Sequence, residues 1–86
     1  MDCIALYDSG NYAYRVCRIF EMKRLVFEVI STPCRIATAG CGYSLKFPAE
    51  YLKDVLAESL ACGCPVREVY RIVDRDMRKD YIKIER

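Results

Sequence analysis

The run Cys3-Ile4-Ala5-Leu6-Tyr7, followed at once by Asp8-Ser9-Gly10-Asn11, constrains the fold most. Five consecutive apolar residues suit a central strand covered on both faces. The small polar residues after it suit a helix N-terminus. Tyr12 to Lys23 supplies that helix, because Ala13, Val16, Cys17 and Phe20 recur at helical spacing and define one buried stripe. Arg15, Arg18 and Glu21 lie away from it. Leu25 to Ile30 is β-branched and aromatic, a second strand that Thr32-Pro33 ends. Tyr43-Ser44-Leu45-Lys46-Phe47 alternates and predicts a third. Pro48 suits the start of a second helix, with Leu52, Val55, Leu56, Ser59 and Leu60 facing inward. Gly63 fits the C′ position and Pro65 blocks continuation. Val66 to Val73 predicts the fourth strand.

The order is βαββαβ, the split βαβ or ferredoxin-like pattern. The expectation is an α+β fold with a four-stranded antiparallel sheet, strand order 4-1-3-2, and both helices on one face. Residues 1–73 form this domain and 74–86 a charged C-terminal tail. Within the tail, Tyr81-Ile82-Lys83-Ile84 alternates, which fits a short edge strand, a docking segment or a frayed end. Its deletion is expected to leave the domain folded. The topology also gathers loops. The end of strand 1, the start of helix 1, the strand 2–3 loop and the helix 2–strand 4 turn should share one end of the sheet, and with them Cys34, Cys41, Cys62 and Cys64. Cys3 should lie toward the opposite end and Cys17 inside.

Composition narrows the function classes. The chain has 86 residues, 53% of them hydrophobic, enough for one domain with a proper core. Net charge is +2 and the fourteen Lys and Arg are dispersed, which argues against nucleic acid as the main partner. Histidine is absent, which removes His-based acid–base chemistry, Cys–His dyads and Cys2His2 zinc sites. Met1-Asp2-Cys3 carries no basic or apolar leader, and no apolar run approaches membrane-spanning length. The expected location is therefore the cytoplasm, where thiols stay reduced.

Six cysteines then need an account. Gly40-Cys41-Gly42 is the leading signal. Glycine on both sides removes side-chain bulk and permits a tight turn that presents the sulfur. An ordinary turn into strand 3 fits the same residues. A helix N-terminus and the nearby Arg35 would favour the reactive thiolate. Cys34, in the same loop, is a candidate resolving thiol. Cys62-Gly63-Cys64 is either a pair of thiols able to chelate or resolve, or simply a helix end. A zinc site from Cys34, Cys41, Cys62 and Cys64 is conceivable, but its spacing departs from the usual paired knuckles. Cys17 and Cys3 read as core.

Thr32-Pro33, Arg35 and Cys41-Gly42, followed by Tyr43-Ser44-Leu45-Lys46-Phe47, carry a resemblance. Over about residues 3 to 73 the chain resembles the small domain family described as putative selenium/sulfur carrier protein-like. The resemblance implies a ferredoxin-like outline and a carrier thiol at the cysteine before glycine, Cys41. It implies sulfur or selenium held there as a persulfide or selenosulfide, with donor and acceptor proteins as partners. Cys34 between Pro33 and Arg35, and Ala39-Gly40 before Cys41, depart from the family pattern. The competing reading is a regulatory or interaction module whose cysteines pack or bind zinc. No cofactor is expected. The lack of a general base points to a carrier rather than an enzyme with its own turnover.

Overall fold

The computed structural model describes residues 1–37 and 42–85. The chain forms β1 (Asp2–Leu6), α1 (Gly10–Met22), β2 (Glu28–Ser31) and β3 (Tyr43–Pro48). A short 3-10 turn (Ala49–Tyr51) then leads into α2 (Leu52–Ala61), β4 (Glu68–Arg75) and β5 (Arg78–Lys83). The fold is α+β, with a five-stranded antiparallel sheet in the order β2-β3-β1-β4-β5.

β1 is central, and its residues divide between two apolar layers. Cys3 and Ala5 face the main core, where Ala13, Val16 and Phe20 of α1 and Val55 of α2 also lie. Both helices therefore cover the same face, as the pattern required. Ile4 and Leu6 face the other way and pack with Ile36 and Tyr70, with Ile30, Ile72 and Tyr81 around them. A helix-free face of so apolar a strand needs another cover. The turn at Cys34-Arg35-Ile36 supplies it by laying Ile36 over the sheet, only 6% exposed.

The four-stranded expectation is corrected to five. β5 arises inside the segment read as a charged tail and pairs with β4 from Tyr70↔Lys83 to Arg75↔Arg78. The alternation at Tyr81-Ile82-Lys83-Ile84 offers an edge strand as one option, but the strand begins earlier, at Arg78, among charged residues: Arg78, Lys79 and Lys83 hold an exposed edge, where packing demands little of a sequence. Arg35 ties this strand to the β2–β3 loop, its Nη1 donating to the Lys79 carbonyl at 3.0 Å and lying 3.6 Å from the Asp80 carboxylate.

β2 is shorter than the apolar run suggested. Leu25 N–H and Arg24 N–H bond back to the carbonyls of Phe20 and Glu21, closing α1 in a Schellman motif with Arg24 at φ 66°. The Cys17 thiol donates to the Phe27 carbonyl at 3.4 Å. These backbone groups are committed before the strand begins. Leu60, expected on the inner face of α2, is instead 72% exposed. It sits about 80° round the helix from Leu52, outside the stripe that Val55 and Ser59 centre.

Asp76 and Met77 both have positive φ, 42° and 65°. They form a two-residue β4–β5 hairpin loop of the type that normally takes glycine at its second position. The Met77 side chain is fully exposed and contributes no packing that would offset the strain. Met77→Gly is expected to stabilise the protein by about 1 kcal/mol, raising the melting temperature by roughly 4–8 °C in calorimetry.

Candidate functional site

The end of β1, the start of α1 and the strands on either side of the 38–41 segment enclose a small polar cleft of about 150 Å³. Asp8 and Gly10 line it from the α1 side, Thr32 and Ala37 from the β2–β3 loop, and Gly42, Tyr43 and Ser44 from the entry to β3. Arg67 closes it, its Nη1 3.8 Å from the Asp8 carboxylate. The local sequence explains the shape. Ser9 caps α1 by accepting from the Asn11 N–H at 3.2 Å. Gly10 leaves room for the Tyr43 ring, since a Cβ there would meet Tyr43 Cδ2 at 3.1 Å.

Thr32 is held against β3 twice. Its N–H donates to the Gly42 carbonyl at 2.8 Å, and its hydroxyl shares a 2.5 Å hydrogen bond with the fully buried Ser44 hydroxyl. Two hydroxyls carry two protons, and their mutual bond uses one. In the sequence, Thr32 marks the end of a strand and Ser44 the polar member of an alternation, and both fall in the motif that carries the family resemblance, but nothing there pairs them. The register that joins them, with Ile30 and Leu6 both opposite Ser44, is a long-range fact.

Cys41 and Gly40 lie outside the described residues. Gly42 and Ala37, the described neighbours of that segment, both line the cleft. Among the described residues, a side chain built on Gly42 would meet nothing within 4 Å. Cys34 is exposed on its turn. Arg35, expected to support the thiolate, directs its guanidinium to β5.

Cys62 and Cys64 belong to a helix end. Gly63, at φ 77°, is the C′ residue of α2, with its N–H on the Leu60 carbonyl and Cys64 N–H on the Ser59 carbonyl. This Schellman geometry turns the following residue inward, and Cys64 is fully buried. Arg15, placed outside the α1 stripe by its spacing, folds back to donate to Cys64 Sγ at 3.5 Å. Cys62 is half-buried and donates to the Ser59 carbonyl at 3.4 Å. Cys3 is buried beside Phe47 and Arg71 in register, toward the far end of the sheet. Cys17 is half-buried rather than inside the core. Burial pushes the Cys3, Cys17 and Cys62 thiols above their ordinary range, away from the thiolate form. Among the described residues, no three Cys, Asp or Glu side chains converge to hold a metal ion.

Behind the cleft, the Tyr7 phenol and the buried Ser59 hydroxyl share a 2.8 Å hydrogen bond. Burial outweighs that bond and pushes Tyr7 up to about 12, with the thiols of Cys62, Cys64 and Cys17 adding to the rise. The ordinary phenol value is about 10. Above it the unfolded chain gives up the Tyr7 proton while the folded chain keeps it. The stabilisation is therefore complete below pH 10 and lost as pH rises toward 12, by about 2–3 kcal/mol in all. Denaturant titrations between those limits should show the fall, and Tyr7→Phe combined with Ser59→Ala should make it shallower.

The described site is thus a polar cleft beside a glycine-flanked cysteine segment, on a small α+β domain. Residues 2–71 match the family model described as "Putative Se/S carrier protein-like". The chain belongs to this family. No curated protein and no solved structure matches it. Among the described residues, no helix is long and apolar enough to cross a membrane.

Proposed function

We propose that the protein carries sulfur or selenium on Cys41, passing it between a donor and an acceptor protein. The observation that carries this reading is the cleft lined by Ala37 and Gly42 on either side of the cysteine segment. Cys41 directly precedes the lining residue Gly42 in the chain. The cleft is small, about 150 Å³. That suits a one-atom cargo and is below the size of a usual small-molecule pocket.

The transfer needs no general base if Cys41 reacts as the thiolate. The thiolate attacks the terminal sulfur of a donor persulfide, and the S–S bond of the donor breaks with its thiolate leaving. Cys41 then holds the persulfide. An acceptor nucleophile attacks that outer atom, and the Cys41 thiolate departs. Thr32 and Ser44 both line the cleft with one hydroxyl proton to spare, which suits an anionic sulfur held there, and the α1 N-terminus favours negative charge at its end. Among the described residues, nothing crowds the side of Gly42 where a partner would approach. Among the described residues, helix-end and core contacts give Cys3, Cys17, Cys62 and Cys64 a packing role, which weakens the competing zinc-clip reading from Cys34, Cys41, Cys62 and Cys64.

Alkylation of the native protein below pH 8.5, the ordinary free-thiol value being about that, tests the assignment. Cys41 and then Cys34 should react first, Cys17 and Cys62 more slowly, and Cys3 and Cys64 last. Peptide mapping showing Cys41 among the slow thiols would contradict it.

A further inference from the structure

The two edges of the sheet are unequal. β5 presents Arg78, Lys79, Asp80 and Lys83, charges that discourage a further strand. β2 offers Glu28-Val29-Ile30-Ser31, with one charge. Among the described residues nothing pairs with its outer edge. Beside that edge runs an open groove of about 780 Å³, lined by Tyr14, Cys17, Arg18, Glu21 and Met22 of α1 and by Val29. Exposed apolar side chains gather there too: Tyr14 and Met22 line the groove, about half and 81% exposed, and the half-exposed Tyr43 ring packs against Tyr14 at 5.9 Å. Such a patch beside an open strand marks an interaction surface.

We infer that a second copy of the chain covers this surface, joining the two sheets through antiparallel β2 strands into one of ten strands. Three observations select a copy over an unrelated partner. A two-fold axis normal to the sheet requires a residue to sit opposite its own copy so that side-chain faces match. Centred on Val29, that register sets Val29 against Val29 and Glu28 against Ile30, so no like charges meet. The flank of α1 is itself self-complementary: Arg18 and Glu21 are three residues apart beside the same groove. Antiparallel α1 helices across the axis bring Arg18 against Glu21 of the partner subunit, twice over. Finally, one open edge per copy closes into a dimer, whereas two would propagate a fibre.

Sedimentation equilibrium from about 1 µM to about 1 mM protomer covers the range of weak dimers. It should show the 10.0 kDa chain doubling in mass. Arg18→Glu, on an exposed position, should raise the dissociation constant at least about tenfold. Adding Glu21→Arg to it should restore association by swapping the pair. Val29→Lys should abolish association, with circular dichroism confirming the fold. The Cys17 thiol gives a second reading, alkylating several-fold more slowly at dimeric concentration in the wild type but not in Arg18→Glu. A wild type that stays at protomer mass throughout would overturn the proposal. So would a dimer indifferent to Arg18→Glu.

Discussion

Deleting residues 77–86 should lower the melting temperature by more than 10 °C. The segment contains β5, whose ladder runs along β4 through six paired positions. Tyr81 packs against the Ile4, Leu6, Ile36 and Tyr70 layer, and Ile84 against the main core, its N–H donating to the Val69 carbonyl at 2.8 Å. Two half-buried large side chains and their ladder are worth about 3 kcal/mol. For a domain of this size that is roughly 12–24 °C. The loss does not stop at the edge. Asp80 holds Arg35, so the turn carrying Cys34 and Ile36 loses its tether, and the outer edge of β4 opens to association. Calorimetry of the truncated chain decides the matter. A shift under about 4 °C would show that the hairpin contributes little to the domain.

That expectation reverses the one drawn from the amino acids, and the reason is physical. Central elements announce themselves because burial on both faces restricts them: Ile4 and Leu6, or Ala13, Val16 and Phe20, admit few alternatives. An edge strand is restricted on one side only, so Arg78-Lys79-Asp80 reads as a solvated run. The family match ends at residue 71, within β4, and leaves β5 outside it. Helix ends were legible where glycine marks them, as at Gly63, and illegible where Arg24 adopts the same left-handed conformation. The functional region divides in the same way. A glycine-flanked cysteine is a local pattern. The Thr32–Ser44 hydroxyl pair, the Asp8–Arg67 pair and the fold-back of Arg15 to Cys64 depend on register and on side-chain reach, which no local pattern encodes. Cys64 shows the converse hazard. Its spacing from Cys62 suggested chemistry, whereas the helix end explains both thiols.

Cys41→Ser should abolish sulfur loading and leave the chain folded. Serine keeps the size of the side chain but not the nucleophilic thiolate, and the hydroxyl cannot form the persulfide. Cys34→Ser should keep loading, because the exposed Cys34 lies on a turn that lines no part of the cleft. Thr32→Val should slow loading without abolishing it, by withdrawing one proton from the hydroxyl pair.

Intact-mass spectrometry after incubation with a low-molecular-weight persulfide is the most direct test. One added sulfur atom per chain is expected, reversed by a thiol reductant and mapped to Cys41. An adduct that persists in Cys41→Ser, or a wild type that takes up neither sulfur nor selenium, would contradict it.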